Sequence, residues 1–203
     1  MTSLRRIAAP LLGMLVLGAC ASTTFISAWR SPTAQPLKLK GEKVAAVVMM
    51  KDSTPRKAAE DQLAREITQR GAIGVPLYTI VPNATPEGES QVRAALEAAG
   101  FKGAVVLRPA GTKQEVHLNS TASVGPFWGG YYGAGWNTVY GPSYQATTDT
   151  IVFVDTRIYS LTQNQLVWEG RSKTTNPERV DELVSEVAAA VADQLQAIGL
   201  IGD

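Results

Sequence analysis

The sequence predicts an α/β (α+β) fold: a single two-layer sandwich in which a mixed sheet carries three main helices and closes with an antiparallel hairpin and a C-terminal helix. Three observations carry that prediction. Residues 44–50 (VAAVVMM) form an unbroken apolar run of strand length, the pattern of a strand buried on both faces. Three segments share one punctuation, in which Thr54-Pro55, Thr85-Pro86 and Asn176-Pro177 open and Gly71, Gly100 and Gly199 close. A side-chain oxygen before proline suits a helix start, and glycine takes the left-handed turn at a helix end. Finally, residues 150–161 and 165–174 flank the polar turn Thr162-Gln163-Asn164, where asparagine tolerates positive φ, and so predict a hairpin.

The elements follow in order. After the first strand, Ala59, Leu63 and Ile67 line one side of the first helix, and Val92, Leu96 and Ala99 one side of the second. Strands are expected at Val75 to Val81, Ala104 to Leu107 and Gln114 to Ser120. In the hairpin, Ile151, Phe153 and Tyr159 alternate with Val152, Val154 and Ile158, so both faces are partly apolar. The last helix repeats Val180, Val184, Val187, Val191, Leu195 and Ile198 at steps of three and four, and holds Glu178, Asp181 and Glu182 against the positive end of its dipole.

Residues 1–19 read as a secretory signal: Arg5 and Arg6, an apolar run from Ile7 to Leu17, then small residues. That run falls short of the about 20 residues that a spanning helix needs. Residues 17–20 (LGAC) resemble the bacterial lipobox. The resemblance implies cleavage before Cys20, a thioether-linked diacylglycerol on Cys20 and acylation of the new amino terminus, the multiple chains that a stable anchor requires. Ala21 and Ser22, in place of an Asp after the cysteine, point to the outer membrane, facing the periplasm. Residues 20–43 are then a lipidated N-terminus and tether, which begins with a short docking strand from Thr24 to Trp29 and lets the domain stand a few nanometres off the membrane. Residues 44–203 are one α/β domain.

Loss of Arg5 and Arg6 leaves 17 Lys and Arg against 18 Asp and Glu, a mature net charge of about −1. No basic cluster stands out, so nucleic acid is not expected as a partner. Cys20 is the single cysteine, which rules out an intramolecular disulfide.

Val44 to Val81, running through ITQRGAIGVPLYTIVP, resembles the start of envelope domains typified by the amino-terminal domain of TolB, a layout shared by curli-secretion lipoproteins and penicillin-binding-protein activator lipoproteins. The hairpin IVFVDTRIYSLTQNQLVWEGRSKTTNP with its following helix is similar to their closing unit. As a whole, residues 24 to 200 look like an uncharacterised family of bacterial lipoproteins with this architecture. The resemblance implies the fold and an envelope-assembly setting; it transfers no binding site.

One segment has no counterpart in those relatives. Residues 122–146 hold seven of the 14 aromatic residues: Phe127, Trp128, Tyr131, Tyr132, Trp136, Tyr140 and Tyr144. No Asp, Glu, Lys or Arg occurs from Val116 through Thr148. Glycine at that density weakens helix and strand alike, and long irregular inserts are usually functional or disordered. Three readings stand: a hairpin extension whose aromatics fold back on the sheet, a partner-binding loop anchored by Tyr and Trp, or a membrane-interface contact beside the lipid.

Catalytic chemistry is not expected. His117 is the single histidine, on the edge of an expected strand, and no Gly-x-Ser-x-Gly elbow accompanies it. Metal ligation would lack a Cys/His cluster. Gly129-Gly130 and Gly133-Ala134-Gly135 lack the lysine and helix of a phosphate loop. No cofactor is expected. The sequence therefore predicts a lipid-anchored, non-enzymatic envelope protein that offers an interaction surface to an envelope protein partner. The alternative is a glycan or small-ligand binding module that uses the aromatic loop.

Overall fold

A computed structural model describes residues 23–82, 84, 88–120 and 144–201; the side chains of 117–120 and 144–147 are not described. The fold is α/β. A mixed six-stranded sheet runs β1 (Thr23–Arg30), β6 (Gln165–Thr175), β5 (Tyr144–Ser160), β4 (Gly103–Ser120), β2 (Lys43–Val48), β3 (Ile73–Pro76). Three helices accompany it: α1 (Ser53–Gln69), α2 (Glu89–Ala98) and α3 (Val180–Ala197).

Connection handedness explains where the helices lie. From β2 the chain crosses to its neighbour β3 in parallel; from β3 it returns past β2 to β4, again in parallel with β2. Two right-handed crossovers in opposite directions place their helices on opposite faces. Accordingly Ala46 and Val48 pack with Ala59 and Leu63 of α1 and with Val184, Val187 and Val191 of α3, in a core that holds Trp168 and Ile158. Ala45 packs the other way, with Leu96 of α2, Leu77, Phe101 and Ala104. This is the double-sided burial that VAAVVMM encodes. The body is helices α1 and α3 on the sheet, with α2 on the reverse face at the β2–β3 edge.

The helix ends show which punctuation acts. Gly71, Gly100 and Gly199 follow the helices at φ of 89°, 78° and 64°, where other residues are strained. The starts differ from expectation. Helix α1 begins at Ser53, and α3 begins only at Val180. Asn176 instead takes φ 51°, and its Oδ1 accepts the Thr150 N–H at 2.7 Å while its own N–H donates to the Thr150 carbonyl at 2.7 Å. It closes the sheet rather than capping the helix. Residues 85 and 86 lie outside the described residues, and α2 is seen from Glu89.

Two strands also differ. The strand expected to reach Val81 stops at Pro76, because the chain turns there: Leu77–Thr79 is a 3₁₀ turn and the Thr79 hydroxyl donates to the Pro76 carbonyl at 2.7 Å. The two strands expected at Ala104 and Gln114 are one, β4, whose register slips between Pro109 and Gly111. Proline in a strand belongs at a bulge or where its missing N–H has no partner. Both conditions hold, since the β2 ladder ends at Val48 opposite Leu107.

The turn of the hairpin is as expected, with Asn164 at φ 53°. Strand β1 pairs antiparallel with β6 from Thr23 to Arg30. Residues 31–41 are then laid along the domain: Ser31 donates to Val167 (3.0 Å), buried Leu37 to Leu200 (2.6 Å) and Gly41 to Gly71 (2.7 Å). Most of the stretch expected to give nanometres of reach is therefore held down, which corrects that expectation. The cause is the backbone ladder, to which the irregular sequence of 31–42 gives no clue.

Helix α1 lies close on β3 at Gly74. A Cβ on Gly74 would lie 2.1 Å from the Ala64 carbonyl oxygen, backbone against backbone. Gly74→Ala is therefore expected to destabilise the domain by about 2–3 kcal/mol, the upper range for overpacking. A urea titration checks it, and an unchanged midpoint would show that the helix can move away.

Candidate functional site

Helices α1 and α3 cover one face of the sheet; α2 covers the other only near β2 and β3. The remainder of that second face, over β4, β5, β6 and β1, has no helix on it among the described residues. Side chains there follow from register. One cross-strand row is Ser27, Arg171, Asp155, Arg108, and the next is Trp29, Glu169, Arg157, Val106.

Asp155 is the centre of the first row. Although 7% exposed, it sits between two arginines. Arg171 Nε donates to Oδ1 at 2.6 Å and its Nη2 to Oδ2 at 3.0 Å, while Arg108 Nη2 reaches Oδ2 at 2.6 Å. These bonds, those from Arg171 foremost, hold the Asp155 carboxyl below its ordinary range against the opposing effect of burial. In the next row Arg157 pairs with Glu169 at 3.2 Å. Trp29 lies beside them, 49% exposed. A cleft of about 220 Å³ separates Trp29 from Asp155 and Arg171. The face therefore presents three guanidinium groups fixed by two carboxylates, with a tryptophan at its edge.

Where this face meets α2 it deepens into a groove of about 530 Å³, at the carboxyl end of β2. That position is the switch point of the topology, the place where α1 and α2 leave on opposite sides, and open α/β sheets commonly bind ligands there. Val47, Val106, Val92 and Leu96 give it apolar walls; Lys51, Arg56, Arg93 and Arg108 line it with cationic groups. Arg56 Nε is buried without a hydrogen-bond partner among the described residues. Glu60, 2% exposed, accepts the Tyr78 N–H at 2.9 Å and the Val48 N–H at 3.4 Å. Burial pushes its carboxyl above the ordinary range, and those two bonds pull it back.

Cys20, Phe127, Trp128, Tyr131, Tyr132, Trp136 and Tyr140 are outside the described residues, and of Tyr144 only the backbone is described, in a rung with Ser120. His117 pairs in the ladder with Thr147. Its neighbours on the same hairpin include Lys113, Glu115 and Asp149. Among the described residues no group of His, Cys, Asp or Glu is placed to hold a metal, and no helix is long and apolar enough to cross a membrane.

The charged face was missed, yet it has a signal. Asp155 and Arg157 interrupt an otherwise apolar strand at a spacing of two, which places both on one face. Glu60 has a weaker one, an acid beside Ala59 on the buried side of α1.

Comparison with protein-family models finds no match, and comparison with curated proteins finds none. Among solved structures, the chain is similar to the PelC dodecamer from Paraburkholderia phytofirmans in two crystal forms. One, a point variant, has 10% identity and TM-score 0.46 over 82% of this chain and 95% of that chain. The other has 9% identity and TM-score 0.44 over 82% and 94%. Lipoprotein GNA1162 from Neisseria meningitidis is similar at 13% identity and TM-score 0.41, over 77% of this chain and 99% of that one. Likeness at this level carries no functional assignment.

Asp155 makes a prediction with a definite sign. A carboxylate with a depressed folded pKa contributes stability above its unfolded value, about 3.9, and loses it as pH falls through the folded value. Both arginines are about half exposed, so screening limits the effect. Asp155→Asn is expected to cost about 1–2 kcal/mol at pH 7, with the deficit shrinking as pH drops below about 4. Paired denaturation curves from pH 7 to 2.5 check this; a deficit independent of pH would show that the ion pairs are not its source.

Proposed function

We propose that this protein is a lipid-anchored, non-enzymatic component of the bacterial envelope that docks a protein partner on the sheet face that carries no helix among the described residues. The anchor is the diacylglyceryl-modified Cys20, with the outer membrane as the destination and the periplasm as the compartment. The observation that carries the docking role is the composition and rigidity of the face: Trp29 beside Arg108, Arg157 and Arg171, each arginine fixed by a carboxylate. Tryptophan and arginine dominate the energetics of protein interfaces, and side chains held in place before binding lose little freedom on docking.

A second reading, a small-ligand module, is favoured by the groove. Its volume of about 530 Å³ falls in the range of ligand sites, and its apolar walls with few cationic groups fit an anionic amphiphile or a glycan edge. In this reading the ligand sits at the switch point and the aromatic insert of 122–146 adds stacking surfaces.

In-cell photo-crosslinking separates the two. A photoreactive amino acid at Trp29 and another at Trp136, read against exposed Arg65 on α1, is expected to give a discrete protein adduct from Trp29. Adduct at Trp136 alone would move the partner site to the insert. Neither position exceeding the Arg65 control would end the docking role and leave the groove reading.

A further inference from the structure

The amino terminus and the long hairpin leave the sheet at the same end. Thr23 pairs with Thr174, Thr174 with Val152 and Val152 with Thr112, so the four lie in one row across β1, β6, β5 and β4. Beyond that row β6 contributes one further rung, Thr175 with Ile151, and then β4 and β5 continue as a two-stranded arm to the Ser120–Tyr144 rung. Eight residues past Thr112, at about 3.4 Å each, carry the arm about 27 Å beyond the body.

Two heights along this arm coincide. Cys20 precedes Thr23 by three residues, so its lipid sits at most about 11 Å beyond the row. The arm's charged residues stop at the same level. Lys113, Glu115 and Asp149 form a collar at its base, with Lys113 Nζ 2.7 Å from Glu115 and Asp149 bonded to the Asn176 amide at 2.9 Å. Glu115 and Asp149 share a rung, three residues or about 10 Å past Thr112. From the next rung outward, Val116 with Thr148, the sequence of both strands and of everything between them contains no Asp, Glu, Lys or Arg. Val116 is itself 61% exposed.

We propose that the outer arm, Val116 to Ser120 paired with Tyr144 to Thr148, rests in the headgroup and interfacial layer of the membrane that holds the lipid on Cys20. This inference rests on the lipid anchor proposed above. The short leash leaves the arm no room to project into water on the membrane side, because it extends further than the lipid's attachment can reach. A charge-free end tolerates that contact, whereas lysine or aspartate there would oppose it. Depth is limited by the backbone: beyond Ile151 the β5 edge has no neighbour from β6, and an open strand edge is excluded from the hydrocarbon core. The arm therefore lies in the interface and does not span as a single hairpin.

The test uses the full mature chain in vesicles of phosphatidylethanolamine and phosphatidylglycerol. With Cys20 occupied by lipid, Val116→Cys supplies a free thiol for an environment-sensitive fluorophore. Thr148→Cys, its cross-strand partner, is a second site, and exposed Thr162→Cys in the β5–β6 turn is the control at the opposite end of the sheet. The expected result is a blue-shifted emission at 116 and 148, with quenching by lipid brominated high on the acyl chain several-fold above the control. Water-like emission at 116 and 148, on protein whose N-terminal peptide carries the lipid by mass, overturns the arm contact alone. A blue shift without lipid quenching means that the chain itself or a second copy covers these sites, and also overturns it. An N-terminal peptide without lipid removes the anchor, and with it this inference.

Discussion

Strand β4 holds the two halves of this protein together. Over Gly103 to Leu107 it pairs in parallel with β2, the strand from which the helical crossovers start. Over Gly103 to Ser120 it pairs antiparallel with β5. A strand that serves both ladders must be covered on both faces at its start and can be uncovered later, which is what its sequence shows: Ala104, Val105 and Leu107 lie in the cores, and Arg108 lies outside them. The bulge at Pro109 marks the change. Past it β4 has lost its parallel neighbour and carries on as half of the arm.

The antiparallel half then depends on β1. Seven residues of β1 pair with β6 and complete the sheet edge, and Phe25 meets Trp168 edge-on at a centroid separation of 5.4 Å. Arg30 extends the clamp to the end of α3, donating to the Ile198 carbonyl at 2.5 Å. With the lipid proposed on Cys20, the same pairing that finishes the sheet would shorten the leash, because it takes residues that would otherwise stand between the domain and that lipid.

Much of the fold was legible because its signals are local. The apolar run of β2, the closing glycines of three helices and the Asn164 turn each depend on a few adjacent residues. What was illegible depended on distant ones. Asn176 looks like a helix cap until Thr150 is known to lie opposite it. One exception is local: the strand expected through Val81 ends at Pro76, where the Thr79 hydroxyl bonds back to the Pro76 carbonyl. Residues 31–42 read as free because their partners, Val167, Gly71 and Leu200, are remote in sequence. The site followed the same rule: the aromatic insert announces itself by composition, whereas the Arg108, Asp155, Arg171 row exists only once three strands are in register. Its members were each unremarkable surface or strand residues on their own.

We propose that β1 holds the domain flush against the membrane that would carry the lipid on Cys20, with the arm end of the sheet facing it. Neutron reflectometry of the full lipidated chain on a supported bilayer reads that geometry directly. Protein density is expected to start at the headgroup layer with no intervening water. A water layer a few nanometres thick, the reach of about twenty unpaired residues, would contradict it and show that β1 leaves β6 at the membrane.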